Sequence, residues 1–435
     1  MVNIKYLGSC REVGRSAILI ESKNGDQCML DYGVRFNEED RLPFESNLSK
    51  LKAVALTHCH IDHSGAIPFL YKKKKNLPLL TNSVTIDIID KLINDMLRIS
   101  KYAYPFGYHE LNQMVNNAYF LNNGVRHKIA HNFYLTFYDA GHVPGSVSIL
   151  VDVDGKKILY SGDMNSNNTN LVNSADSSQI PEIHAAIIES TYSLRKHPPR
   201  DELEKEFVEE VINITENGGN VLVPAFGVAR SQEAVMILDK YQFKGNIYLD
   251  GMAKLITKIY LNHPNTLKNK NYFRNALKKA KFVEGFKKKK DYLKNNSVIV
   301  SPSGMLKGGS VLKYIKPILN DHQSAIFMVG YQVEGTPGRN LLENKVFEFK
   351  ESNKQRNTNY DLNIKAKCRI KHFDFSSHSD GKGLHSYVDN LKFVNNGKQV
   401  FCVHGDPQST TTLAKELVNK KYNSVAPELG EVYSV

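Results

Sequence analysis

Three imidazoles and one carboxylate fall within six residues in His58-Cys59-His60-Ile61-Asp62-His63. In an extended segment, side chains two apart point the same way, so His58 and His60 can grip one metal ion. Asp62 and His63, where the chain turns, can then face a second. Imidazole and carboxylate are ordinary zinc ligands. The chain of 435 residues holds only 15 histidines, so such crowding reads as a ligand pattern. A two-metal centre needs about four ligands per ion, a bridging carboxylate and an exchangeable water. Further donors come from His142 in Asp139-Ala140-Gly141-His142, Asp163 in Gly162-Asp163, and His404 in Val403-His404-Gly405. Asp31, in Asp31-Tyr32-Gly33, occupies the same kind of position.

Each of these residues follows a run that reads as a strand. Asp31 follows residues 27–30, the histidine motif follows 53–56, and His142 follows 134–139. Asp163 follows 157–161, Glu189 closes 185–189, and His404 follows 399–403. Strands at 2–7, 16–21 and 148–152 join them, and helical spacing of apolar residues predicts helices at 65–71 and 84–100. Strand followed by ligand, repeated over the first 190 residues, predicts one α/β sandwich with its site along one edge. After Tyr192 the texture changes. Helices at 201–217 and 231–240 alternate with strands at 220–224, 246–249, 297–301 and 325–329, the pattern of a parallel-sheet α/β unit. Residues 350–363 are polar and read as a surface loop or hairpin, and strand-then-ligand segments return from Ala366. The expected organisation is a first domain over 1–193, an inserted domain over 194–365 and the return of the first domain over 366–435.

Length and composition set the frame. A chain of this length exceeds what one hydrophobic core usually supports, and 41% hydrophobic residues suffice for sizeable cores. The net charge of +12 points toward a polyanionic partner. The lysine-rich run over 268–294, densest at Lys287–Lys290, fits either RNA phosphate contacts or a solvated face. Five cysteines without a C-x-x-C pair read as reduced thiols. There is neither a signal-peptide core nor an apolar run long enough to span a bilayer. A cytoplasmic protein with no membrane partner is expected.

Taken together, the ligand residues resemble the metallo-β-lactamase superfamily. Glu189-Ser190-Thr191-Tyr192, Ser376-Ser377-His378-Ser379-Asp380 and Val403-His404-Gly405 are similar to motifs of its β-CASP nuclease branch. The inserted segment resembles that branch through Pro224-Ala225-Phe226-Gly227-Val228-Ala229-Arg230-Ser231-Gln232-Glu233, Ser301-Pro302-Ser303-Gly304 and Gly330-Tyr331-Gln332-Val333-Glu334-Gly335-Thr336-Pro337-Gly338-Arg339. Within the branch the chain looks like the endonuclease subunit of the cleavage and polyadenylation specificity factor (CPSF) and its compact archaeal and bacterial relatives.

The resemblance implies an αββα metallo-β-lactamase sandwich with an inserted parallel-sheet α/β β-CASP domain. It implies two zinc ions per chain. His58, His60 and His142 would hold one, Asp62, His63 and His404 the other, and Asp163 would bridge. Asp31 would accept a hydrogen bond from a ligand imidazole and fix its orientation. Glu189 and His378 would pair over the scissile phosphate, the imidazole donating to the leaving oxygen. A hydroxide activated between the zinc ions would hydrolyse single-stranded RNA endonucleolytically, leaving 5′-phosphate and 3′-hydroxyl ends; some relatives add a 5′-3′ exonuclease mode, and no residue of this chain decides for or against it. Ser301, Ser303, Gly304 and Arg339 would contact substrate, since a loop of small residues lets backbone approach a phosphate closely. The site would lie in the cleft between the two domains. A homodimer and partners in an RNA-processing complex complete the expectations.

Competing readings are an Artemis-type DNA nuclease, a hydrolase of small thioesters or lactams, and a non-catalytic CPSF-like RNA-binding scaffold subunit. Artemis-type proteins generally lack a histidine at the position of His404. Small-substrate hydrolysis leaves Glu189, His378 and the insertion without a role. Scaffold subunits have lost metal ligands, and this chain keeps every one.

Overall fold

The computed structural model describes all residues except 36–40, 101, 286–290, 295, 354–357 and 395–396. In strand Val147–Val153, residues Val147, Ile149, Val151 and Val153 face one core while Leu150 enters another. The same alternation separates Ile158 and Tyr160 from Leu159, and Phe401 and Val403 from Val400 and Cys402. A period of two with both phases apolar is the signature of a sheet covered on both faces. This sheet has seven strands, in the order Asn423–Val425, Gln399–Val403, Ala185–Glu189, Lys156–Tyr160, Val147–Val153, Phe133–Asp139 and His127–Ala130.

Its inner face packs on a second seven-stranded sheet, through Ile4, Tyr6, Ile18, Ile20, Cys28 and Leu30. That sheet runs Val432–Ser434, Asn3–Tyr6, Ile18–Glu21, Gln27–Leu30, Leu51–Ala55, Leu79–Thr81, Ala118–Phe120. The outer face of the first sheet is covered by Leu384 and Val388 of helix Gly381–Asp389 and by Leu413 and Leu417 of helix Pro407–Asn419. On the second sheet, Leu19, Met29 and Val54 take the opposite phase and are equally buried.

The chain divides into two compact units, Met1–Lys196 with Ser377–Val435, and His197–Ser376. The inserted unit is built on six parallel strands, ordered Ala280–Phe282, Ile247–Leu249, Val298–Ser301, Val221–Pro224, Ala325–Met328, Arg369–His372. One face receives Phe207, Val208 and Val211 of helix Arg200–Glu216, and the other receives Ile315, Ile318 and Leu319 of helix Leu312–Leu319. The polar stretch near 350–363 forms a hairpin of Val346–Asn353 and Thr358–Lys365.

The second domain boundary is corrected. Strand Arg369–His372 pairs with Ala325–Met328 and belongs to the inserted sheet, and Phe373 and Phe375 join that unit's core. The first unit therefore resumes at Ser377, not Ala366. No described helix is long and apolar enough to cross a membrane, and all five cysteines are buried free thiols. In the lysine-rich run, helix Lys270–Lys278 buries Phe273 and Ala276 while Lys270, Arg274 and Lys278 stay exposed. Lys287–Lys290 lie outside the described residues.

Candidate metal centre

Strands Lys156–Tyr160, Ala185–Glu189 and Gln399–Val403 run parallel to one another. Phe133–Asp139 is two antiparallel steps from Lys156–Tyr160 and so points the same way. Their C-terminal ends share one edge, where Glu189 closes its strand and from which rise the loops bearing His142, Asp163 and His404. The facing sheet repeats the arrangement. Its strands Gln27–Leu30 and Leu51–Ala55 are parallel and deliver Asp31 and the run His58–His63. Asp62 and His63 lie within the short helix Ile61–Ser64, and a second helix, Ile67–Tyr71, follows in place of the single helix expected at 65–71. All ten residues assigned to metal binding or catalysis belong to the first unit.

Two donor groups meet at Asp163. In the first, His60 Nδ1 lies 3.0 Å from His58 Nε2 and 3.1 Å from His142 Nε2. Asp163 Oδ2 is 3.5 Å from His58 Nε2 and 3.8 Å from His142 Nε2. In the second, His404 Nε2 lies 3.3 Å from both His63 Nε2 and Asp62 Oδ2. Asp163 Oδ1 is 3.2 Å from His63 Nε2. Ligand nitrogens about 2.0–2.1 Å from a tetrahedral zinc stand about 3.3 Å apart, so these spacings suit a shared ion. The ligand atoms of His58, His60, His142 and Asp163 all lie within 4.8 Å of one another, as do those of Asp62, His63 and His404. Asp163 Oδ1 is buried and accepts no hydrogen bond, which is what a metal-facing oxygen would show before its ion is added. The donor set fits zinc, with Asp163 turning one oxygen toward each group.

Electrostatics separates the imidazoles. Burial, reinforced by the neighbouring imidazoles, pushes His58 and His142 well below the ordinary histidine range. Burial brings His60 down to about 4 against the pull of Asp62 and Asp163. These three are neutral at pH 7, as ligands must be. Burial would also depress His63, but Asp163 and Asp31 overturn it and hold this imidazole well above its usual value. Burial opposes ionisation of Asp163 too, yet His404, His63 and His378 keep it a carboxylate.

A pH dependence follows, and its sign can be worked out. Between about 6.5 and about 4 the unfolded chain takes up protons on His58, His60 and His142 that the folded chain refuses. His63 is already protonated in the fold across this window, and its stabilising effect is fully present there. The metal-free protein is therefore expected to lose thermal stability as pH falls from about 6.5 toward about 4, checked by melting curves in chelator at stepped pH.

Behind the ligands stands Asp31, wholly buried. Its Oδ2 accepts from His63 Nδ1 at 2.7 Å, Thr57 Oγ1 at 2.8 Å and Tyr160 Oη at 2.9 Å, and its Oδ1 accepts from the Thr57 backbone N–H at 2.7 Å. His142 Nδ1 donates to the Ser377 carbonyl at 2.9 Å, and His404 Nδ1 lies 3.2 Å from Thr191 Oγ1. Sequence reasoning assigned no role to Thr57, Tyr160 or Thr191. The one available signal was a tyrosine closing a buried strand, whose hydroxyl must find a partner.

Glu189 and His378 are brought together as expected. His378 Nδ1 lies 2.8 and 3.0 Å from the two Glu189 oxygens, which also accept from the Met164 and Thr191 backbone N–H groups. His378 Nε2 is 3.8 Å from Asp163 Oδ2, on the side of the first donor group. Glu189 also lies within ligand range of Asp163 and His404. With both oxygens on His378, it reads as that ring's partner.

The four expected substrate contacts lie in the inserted unit. Ser301 is buried with Oγ 2.7 Å from Ser310 Oγ. Ser303 Oγ is buried with no hydrogen-bond partner. A Cβ on Gly304 would stand 3.2 Å from the Phe226 backbone nitrogen, so this loop packs on the turn after Val221–Pro224. Arg339 pairs with Glu343 one turn along its own helix, Nε to Oε1 2.6 Å.

Comparison with known proteins places the chain beside three family models. Residues 231–341 match the Beta-Casp domain, 363–427 the Zn-dependent metallo-hydrolase RNA specificity domain, and 9–204 the anti-Pycsar protein Apyc1. The chain is 34% identical to RNase aCSPSF2 of Saccharolobus solfataricus, over 99% of this chain and 85% of that protein. It is 33% identical to an RNase J-like protein of Methanocaldococcus jannaschii, over 95% of each. It is 30% identical to transcription termination factor FttA of Methanothermobacter thermautotrophicus, over 94% of this chain and 68% of that one. A crystal structure of a protein of unknown function from Enterococcus faecalis V583 superposes with a TM-score of 0.63 at 13% identity, covering 99% of both chains. That likeness bears on the fold.

Proposed function

The chain belongs to the β-CASP branch of the metallo-β-lactamase superfamily, and from that premise we propose that it is a zinc-dependent ribonuclease acting on single-stranded RNA in RNA processing or transcription termination. The observation that carries the reading is Asp163, set with one oxygen toward each of two complete donor groups and with the Glu189–His378 pair beside it. His58, His60, His142 and Asp163 would hold one zinc ion, and Asp62, His63, His404 and Asp163 the other. Two such ions, when bound, supply charge neutralisation for the phosphate and a water made nucleophilic near neutral pH.

The chain's own residues do the rest. Asp31 and the Ser377 carbonyl lock ligand rings by their second nitrogens, so that the metal-facing nitrogens are presented without search. Glu189 holds the His378 ring with Nε2 directed at the first donor group, placed to give its proton to the departing 3′ oxygen. In the inserted unit Arg339, whose side chain is partly exposed on its helix, is our candidate for an RNA phosphate contact, and the buried Ser301 and Ser303 hydroxyls and Gly304 would shape the loop beside it. Endonucleolytic cleavage is the principal mode proposed, with a homodimer in the cytoplasm as the assembly. The five free thiols suit that reducing compartment.

Labelled single-stranded RNA and DNA, incubated with purified protein with and without chelator, test the reading. RNA is expected to be cut internally to 5′-phosphate ends, chelator to stop cleavage and zinc to restore it. Cleavage of DNA in preference to RNA would favour the Artemis-type alternative. Inert zinc-loaded protein would favour the scaffold, and chelator-resistant cleavage would overturn the metal assignment.

A further inference from the structure

Thr57 sits directly before the first ligand histidine, and its side chain touches the first donor group directly and the second through Asp31. Its hydroxyl lies 2.8 Å from Asp31 Oδ2 and 3.1 Å from His58 Nδ1. A hydroxyl has one proton, and a carboxylate can only accept. That proton therefore goes to Asp31, leaving a hydroxyl lone pair to receive Nδ1–H of His58. His58 is then the tautomer whose bare Nε2 faces His60, His142 and Asp163. The same Asp31 oxygen takes Nδ1–H of His63, whose Nε2 faces His404 and Asp163. One carboxylate thus orients an imidazole in each group, directly for His63 and through Thr57 for His58.

The arrangement is packed into place. Thr57 is buried, and its backbone N–H is fixed on Asp31 Oδ1. Its carbonyl accepts from the Val147 N–H. A Cβ added at Gly162 would lie 2.8 Å from Thr57 Cβ and Cγ2. Glycine beside Asp163, at φ +55°, therefore makes room for the threonine methyl while the hydroxyl turns to Asp31. Tyr160 adds a third donor to the same oxygen, its phenol held protonated by burial and the adjacent Asp31 charge.

We propose that Thr57 is a positioning residue that ties one ligand of each donor group to Asp31, so that both metal positions weaken together when its hydroxyl is lost. The inference rests on the zinc reading of those groups. Hydrogen-bonded partners of metal ligands typically contribute 10- to 100-fold in metal affinity.

Zinc titration of the wild type, Thr57→Val and Thr57→Ser against a chromophoric chelator tests it. Thr57→Val keeps the shape and removes the hydroxyl, and is expected to weaken both zinc positions by about 10- to 100-fold. Thr57→Ser keeps the hydroxyl and is expected to bind within a few-fold of wild type. The opposite order, Ser weak and Val normal, would show that the methyl against Gly162 is what matters and would overturn the proposal. So would Thr57→Val weakening one position alone or neither. If Thr57→Val does not fold, imidazole ¹⁵N spectra of the zinc-loaded wild type decide. Nδ1–H tautomers for both His58 and His63 are expected, and His58 protonated at Nε2 would refute the relay. A wild type that fails to bind two zinc ions would instead remove the zinc reading itself.

Discussion

Asp163→Ala is expected to empty both donor groups and end RNA cleavage, whereas removal of any other single ligand strikes one group first. Asp163 Oδ2 stands 3.5 Å from His58 Nε2 and Oδ1 stands 3.2 Å from His63 Nε2, so each group loses its fourth donor in the same substitution. Structural zinc held by four protein ligands is worth about 10–16 kcal/mol at pH 7. One ligand in four is then roughly 3–4 kcal/mol, or a few hundred-fold in affinity per ion. Double occupancy falls by the product of the two, about 10⁴- to 10⁶-fold. Metal content by mass spectrometry and cleavage of labelled RNA should collapse together, while His58→Ala is expected to spare part of the second position. A variant that retains two zinc ions and wild-type cleavage would remove Asp163 from the centre of the mechanism. Circular dichroism separates loss of metal from loss of fold, since the core between the sheets does not depend on this side chain.

What the chain revealed before its structure follows from how each feature is encoded. Candidate metal ligands are legible because coordination restricts residue type, and because parallel strands deliver their C-terminal ends to one edge. The grouping of His404 with His63, 341 positions apart, came from the family resemblance, and the two rings stand 3.3 Å apart at Nε2. The supporting shell was less legible. Tyr160 reaches Asp31 from 129 residues away, out of the facing sheet, and that contact is set by the stacking of two sheets and by no local spacing. The return of the first unit was misplaced for a different reason. Arg369–His372 is an edge strand with exposed and half-buried residues and none of the apolar run that announces an interior strand. Phe373 and Phe375 beyond it pack against Phe207 in the inserted core. At Arg339 the local signal is the glutamate four residues on, the spacing of a helical ion pair, and the two are paired.

His378→Ala is expected to slow cleavage by about 10²- to 10⁴-fold, the usual contribution of a positioned general acid, while both zinc positions stay filled. The separation of these effects is built into the geometry. His378 belongs to neither donor group. Its Nδ1 is bound by both oxygens of Glu189, which the Met164 and Thr191 backbone holds in turn. The ring is thus aimed through Nε2 and stands outside both donor groups. A purely structural role would slow every substrate alike. A general acid has a sharper signature, because its worth depends on how badly the leaving group needs a proton. With a substrate whose bridging 3′ oxygen is replaced by sulfur, the leaving thiolate departs without protonation, and the ratio of wild-type to His378→Ala rates is expected to shrink toward unity. An undiminished ratio would sink the assignment. Glu189→Gln keeps a hydrogen-bond acceptor but removes the charge beside the ring. It should fall between wild type and His378→Ala on the natural substrate and show the same relief with sulfur, because both residues act on one proton.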